Sequence, residues 1–145
     1  MSRIRIYILF FLLGIVSLSW AQVEGGFEWN YVASMDQARR GHAAVTYDGE
    51  LYVFGGQTNR GRMLNPLEIY NPEADRWRPG PPMPRPLIYH TAAVVGNSIY
   101  IFGGLSSVSI PVADILSFTP EEGQRGVYHE IADMPEPRYS ASAVV

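Results

Sequence analysis

The side chains best able to hold or transfer charge in this sequence are arginines. Arg39, Arg40, Arg60, Arg62, Arg85 and Arg138 fall in Gly- and Pro-containing segments, beside Asn59, Tyr89 and Tyr139. A guanidinium presents a planar fork of donors that fits a carboxylate bidentately. Grouped at one face, these residues would make a ligand-binding site for carboxylates. The competing expectation is ordinary: surface arginines are mostly solvated, and Arg39 and Arg138 recur at matching places as loop-orienting residues. All 11 basic residues are arginine, and cysteine is absent. Lysine Schiff bases, disulfides, thiolate zinc sites and cysteine nucleophiles are therefore excluded for this sequence.

Other candidate chemistry is thinner. His42 and His90 stand 48 residues apart at equivalent places, but the next equivalent position is Ala141. A metal would lack a third converging donor, and His129 lies in a different part of the repeat. No metal and no cofactor is expected. Gly55-Gly56 and Gly103-Gly104 are not phosphate loops, because no Gly-Lys-Ser/Thr follows them. Glu121 and Glu122 beside Gly123 read as solvated turn carboxylates. There is no Gly-x-Ser-x-Gly elbow, no His-Glu-x-x-His pair and no Asn-x-Ser/Thr sequon. A net charge of −3 with no basic tract argues against a nucleic-acid partner.

The elements that must position these residues come from an internal repeat. Gly55-Gly56 recurs as Gly103-Gly104, 48 residues later, and the same step carries Trp29 to Trp77, Met35 to Met83 and Tyr52-Val53-Phe54 to Tyr100-Ile101-Phe102. At a step of 51, Tyr128 takes the Trp place, Met134 follows Met83, and a third unit opens at 134. The units span about 35–82 and 83–133. Each reads as four short strands: His42–Tyr47, Leu51–Phe54, Leu67–Tyr70 and Arg76–Arg78, then Thr91–Val95, Ile99–Phe102, Asp114–Phe118 and about Tyr128–Ile131. Asp48-Gly49 between the first two is a hairpin signal, and Asn71-Pro72 initiates a turn. No helical period is apparent. The composition, 47% hydrophobic with 14 Gly and 11 Pro, is that of a globular, turn-rich chain.

Residues 1–21 have a different character. Arg3 and Arg5 precede the apolar run Ile6–Val16, and small residues at Ser19 and Ala21 suit cleavage before Gln22. This is the layout of a signal peptide, and the mature chain is expected to be secreted or periplasmic. An uncleaved anchor facing outward is the alternative, the one setting in which a membrane would be a partner.

Double glycine after an aliphatic-aromatic strand, then Tyr70, Trp77 and a Met-Pro, resembles the kelch repeat over about 28–145. The resemblance implies an all-β, kelch-type β-propeller in which each unit is one four-stranded blade. The first strand of a blade would lie innermost and the Trp-bearing fourth outermost. Gly55, Gly56, Gly103, Gly104, Tyr70 and Trp77 would be structural motif residues. Two complete blades are flanked by partial strands, a fourth-strand segment at Phe27–Val32 and an opening strand that reaches Val145. Since rings close with about 4 to 8 blades, the chain is expected to be a fragment of a larger ring. The rival is a short chain that closes its ring by self-association.

In the family, the loops between strands two and three and between strands four and one form the binding face. Here these are 57–66, 105–112, 35–41, 83–89 and 134–140, which carry the arginines above with Tyr89 and Tyr139. The function expected by analogy is an extracytoplasmic, non-catalytic module binding protein or glycan. The alternative is an exported sugar-modifying enzyme, since sialic-acid mutarotases are exported kelch propellers. Arg39, Arg85 and Arg138 would then clamp a sugar carboxylate, with no acid–base pair assignable.

Overall fold

The computed structural model describes residues 29–145 except 107–109 and 122–124, together with two short strands nearer the N-terminus. Contacts divide the chain into a unit over Met1–Tyr31 and one over Val32–Val145. In the first, β1 (Tyr7–Ile8) pairs antiparallel with β2 (Ser19–Trp20). Most of the expected leader, 1–21, lies outside the described residues, as do Phe27 and Glu28.

The second unit holds two four-stranded antiparallel sheets and, among the described residues, no helix. One is β3 (Ala43–Tyr47), β4 (Glu50–Phe54), β5 (Leu67–Asn71) and β6 (Arg76–Pro79), neighbours in chain order. The other is β7 (Thr91–Val95), β8 (Ser98–Phe102), β9 (Ile115–Glu121) and β10 (Arg125–Glu130). The two registers match residue for residue: Phe54 faces Leu67 in one ladder and Phe102 faces Ile115 in the other. Asp48 and Gly49 both take positive φ, 48° and 75°, at the β3–β4 hairpin. This pairing of left-handed residues suits the strand twist.

The sheets converge at their first strands, β3 beside β7, and share one core. Tyr52, Phe54, Leu67 and Ile69 from the first sheet meet Ile99, Ile101, Leu116 and Phe118 from the second, with Met83 and Leu87 between them. Phe54 and Phe118 are fully buried, ring centroids 5.9 Å apart and nearly perpendicular. That edge-to-face pair adds to the large apolar area buried by each ring.

Three expectations need correction. The fourth strand of the second unit runs over Arg125–Glu130 rather than Tyr128–Ile131, because β9 continues through Pro120 to Glu121 and pairs further up. Glu121 thus ends a strand instead of sitting on a turn, while Glu122 and Gly123 lie outside the described residues. Residues 29–32 form no strand, and Trp29 and Tyr31 are fully exposed. Likewise 141–145 makes no ladder. A kelch fourth or first strand takes its hydrogen bonds from the third or second strand of its own blade, as β6 does from β5 and β3 from β4. Ala143–Val145 nevertheless lies beside Ala44–Thr46 and Ala92–Val94, around an apolar hollow of about 490 Å³.

Candidate functional site: the loop face

Successive β-strands reverse direction, so the β4–β5 and β8–β9 loops and the segments entering β3 and β7 gather at one end of the sheets. The double glycines build this end. Gly55 N donates to Pro66 O (3.1 Å), Gly56 O accepts from Leu64 N (2.8 Å), and Gly56 N donates to Leu87 O (2.8 Å). The last bond crosses to the segment that feeds the second sheet. The second sheet repeats all three: Gly103 N to Asp114 O, Val112 N to Gly104 O, and Gly104 N to Arg138 O (2.8 Å). All four glycines have positive φ, between 57° and 100°, and a Cβ at Gly55 would stand 2.8 Å from Leu87 O. Glycine is required here by both conformation and space.

A second chain of bonds ties the entering segments together. Tyr89 N donates to Gly41 O (2.7 Å), and Ser140 N donates to Tyr89 O (2.8 Å). Gly41, Tyr89 and Ser140 are equivalent positions, and all have positive φ: 63°, 55° and 52°. For Tyr89 that conformation is costly, and such strain persists only where surrounding structure enforces it.

The aromatic motif residues anchor the same segments from the outer edge. Trp77 Nε1 donates to Ala33 O (2.7 Å) and stacks at a tilt on Tyr70, centroids 5.1 Å apart. Tyr128 reproduces this in the second sheet: its hydroxyl donates to Pro81 O (3.0 Å), and its ring lies 4.6 Å from Phe118. Tyr can replace Trp because both carry a polar handle on a large apolar body. Asp75 completes the first anchor, accepting from Ala33 N (2.8 Å) and from the Tyr70 hydroxyl (2.7 Å). Those bonds hold its carboxyl below the usual range, with the Ala33 bond the larger cause. Pro81 has no N–H to satisfy, so the second sheet needs no such acid.

The arginines separate on this frame. Arg39 is not at the surface: its side chain has 0% exposure and is ion-paired with Glu68, whose side chain is 7% exposed. It also donates to Gly55 O and Pro66 O, both at 3.0 Å, and to Gln37 O. As a clamp for ligand it is spent, because its donors are taken within the first sheet. Arg85 pairs with Asp114 (2.8 Å) and Glu130 (3.3 Å), binding the entering segment to its own sheet. Arg138 is exposed and near Glu136 (3.4 Å). Arg40 meets the Gln57 amide oxygen (3.3 Å). Arg60 and Arg62 come together with Gln37, Ala38, Thr58 and Asn59 around a cleft of about 450 Å³. Tyr89 and Tyr139 are 40% and 52% exposed.

A feature not anticipated above was nonetheless written in the repeat. Arg39 and Glu68, advanced by 48, become Leu87 and Leu116, each 1% exposed. One blade thus fills this place with an ion pair and the next with two leucines. Gln37, Ala38 and Thr58, which complete the cleft, also went unmarked because their types carry no signal alone. Of the histidines, His90 is interior, His42 is half-buried and His129 is exposed. His90 is 5% exposed, and burial depresses its pKa to about 4. His42 is lowered by burial and then by Arg39.

Comparison with known proteins agrees with this architecture. The KLHDC2/KLHL20/DRC7 Kelch-repeats domain family matches residues 7–145. The chain belongs to the kelch-repeat family, and its two sheets are blades of a β-propeller. Human Kelch-like protein 33 is 33% identical over 111 residues, covering 77% of this chain and 20% of that protein. Kelch repeat and BTB domain-containing protein 12 of Danio rerio is 36% identical over 110 residues, covering 66% and 18%. Beta-scruin of Limulus polyphemus is 31% identical over 99 residues, covering 64% and 11%. The chain therefore spans about a fifth or less of these relatives.

Proposed function

We propose that this chain is a non-catalytic protein-recognition module that meets its partner through the loop face, outside the cytoplasm once residues 1–21 are removed. The observation that carries this reading is the backbone chain Gly41–Tyr89–Ser140. It joins three entering segments into one preset surface and leaves Tyr89 and Tyr139 exposed on it. Preset aromatic side chains lose little freedom on binding, which is why Tyr is enriched at protein interfaces. Kelch domains are generally protein-binding modules, which supports a protein partner over a glycan.

A photo-crosslinking amino acid at Tyr139 tests the face directly, with Asp48 on the opposite end of the sheets as control. A partner caught from position 139 but not from 48 is the expected result. Capture from 48 alone would refute the assignment. The extracytoplasmic setting is tested separately: protein recovered outside the cytoplasm should begin at Gln22, and a retained Met1 would refute cleavage.

A further inference from the structure

The cleft between the two loops of the first blade differs in charge from the rest of the face. Its lining contains Arg60 and Arg62 and no Asp or Glu. Among the described residues, Arg39, Arg78, Arg85 and Arg138 have carboxylate partners, whereas Arg40, Arg60, Arg62 and Arg76 have none, and of these four Arg60 and Arg62 line this cleft together. Arg62 Nη2 meets only the Gln37 amide oxygen, at 3.2 Å. The equivalent loop of the second blade, 105–112, has no charged residue at all. In a chain of net charge −3, two uncompensated guanidiniums are thus concentrated at one cleft of one blade.

The loop that carries them is preset. Gly61 N donates to Thr58 O (3.0 Å), Thr58 N to Arg62 O (2.9 Å), and Arg62 N to the Thr58 hydroxyl (3.1 Å). Gln57 Nε2 donates to Gly61 O (3.1 Å), and Gly61 takes φ +83°. This closes a tight turn with Asn59 and Arg60 at its tip, so little loop ordering is left to oppose binding. Thr58, Asn59 and Gln37 add neutral donors and acceptors around the two forks.

We infer that the Arg60–Arg62 cleft takes carboxylate side chains of an acidic peptide segment. This inference rests on the loop-face reading above and names the chemistry of its partner. Arg forks match planar carboxylates in two parallel bonds. No aromatic residue lines the cleft to stack against a sugar ring, which argues for peptide rather than glycan.

The test is fluorescence anisotropy on the full chain with a labelled dodecapeptide pool, fixed to Asp or Glu at four positions and random elsewhere. Probes for comparison are the same pool with Asn and Gln at those positions, and a sulfated heparin hexasaccharide. The acidic pool should bind at least about tenfold more tightly than the neutral pool, the loss corresponding to about one charge-assisted bond. Arg60→Ala and Arg62→Ala should each weaken it about tenfold and flatten its salt dependence. Arg76→Ala, at an exposed arginine that opens β6 away from the loop face, should leave it unchanged.

Equal binding of acidic and neutral pools, no loss in either variant, or binding of the hexasaccharide alone would overturn the inference. If the cleft variants bind normally while crosslinking from position 139 still captures a partner, the cleft assignment falls and the loop-face reading stands. If crosslinking fails as well, both fall.

Discussion

Replacing Glu68 by Gln keeps its shape and removes its charge. The Arg39 side chain, with no solvent exposure, would then face a neutral amide. Water cannot reach the guanidinium, and the bonds to Gly55 O and Pro66 O satisfy its protons without balancing its charge. Breaking a buried pair in this way costs about 3–5 kcal/mol, a large part of the stability of a typical domain. Arg39→Leu should cost a similar amount by stranding Glu68, which keeps only the Asp36 amide (3.0 Å). The double variant Arg39→Leu/Glu68→Leu should recover most of the loss, because Leu87 and Leu116 already occupy these positions in the next blade. Buried pairs exchanged together for apolar residues are often neutral or better.

The assay is urea unfolding at fixed protein concentration, followed by tryptophan fluorescence. With a slope of about 1.5–2 kcal/mol per molar, each single variant should lower the midpoint by roughly 1.5–3 M. The double variant should fall within about 0.5 M of the parent, by the same slope. Single losses below about 1 kcal/mol, or a double loss equal to the sum of the singles, would refute the reasoning.

Three further expectations follow the same logic. The folded-state pKa of His90, about 4, lies below the ordinary 6.5, so its contribution to stability is complete above pH 6.5. It is lost as pH falls toward 4, by up to about 3 kcal/mol; urea midpoints taken across that window should decline, and His90→Asn should flatten the decline. Gly49→Ala, with φ +75° but open space around it, should cost about 1–2 kcal/mol. Gly55→Ala, whose Cβ would also stand 2.6 Å from Met83 Cε, should cost roughly 1–3 kcal/mol more; equal midpoints for the two would contradict the close-approach argument. Tyr100 and Phe102 are half-buried at the positions where Tyr52 and Phe54 are 5% and 0% exposed against the next blade. The chain by itself should therefore self-associate in sedimentation experiments, and Tyr100→Arg should reduce that association; a monomer at all concentrations would refute it.

Much of the fold was legible because a repeat reports spacing twice. The 48-residue step placed the glycines, the hairpins and the aromatic anchors, and all eight strands of the two blades were expected within a few residues. The errors fell where the step changes or pairing partners are missing. The three extra residues of the second unit lengthen β9 and move β10. The segments at 29–32 and 141–145 have strand-like composition, but a strand is made by its neighbour's hydrogen bonds.

The arginines mark the boundary between what sequence and structure each decide. Sequence alone determined that every cation here is a guanidinium, that the double glycines repeat, and that Tyr128 stands in for Trp77. It placed Arg39 and Arg138 at the same step of the repeat, as if they were alike. Only the tertiary structure separated them: Arg39 lies under the first blade against Glu68, Arg138 stands in solvent, and Arg60 joins Arg62 at a cleft. The physical reason is that a charge takes its role from the groups that surround it in space. For Arg39 those groups come from residues 16, 27 and 29 positions along the chain.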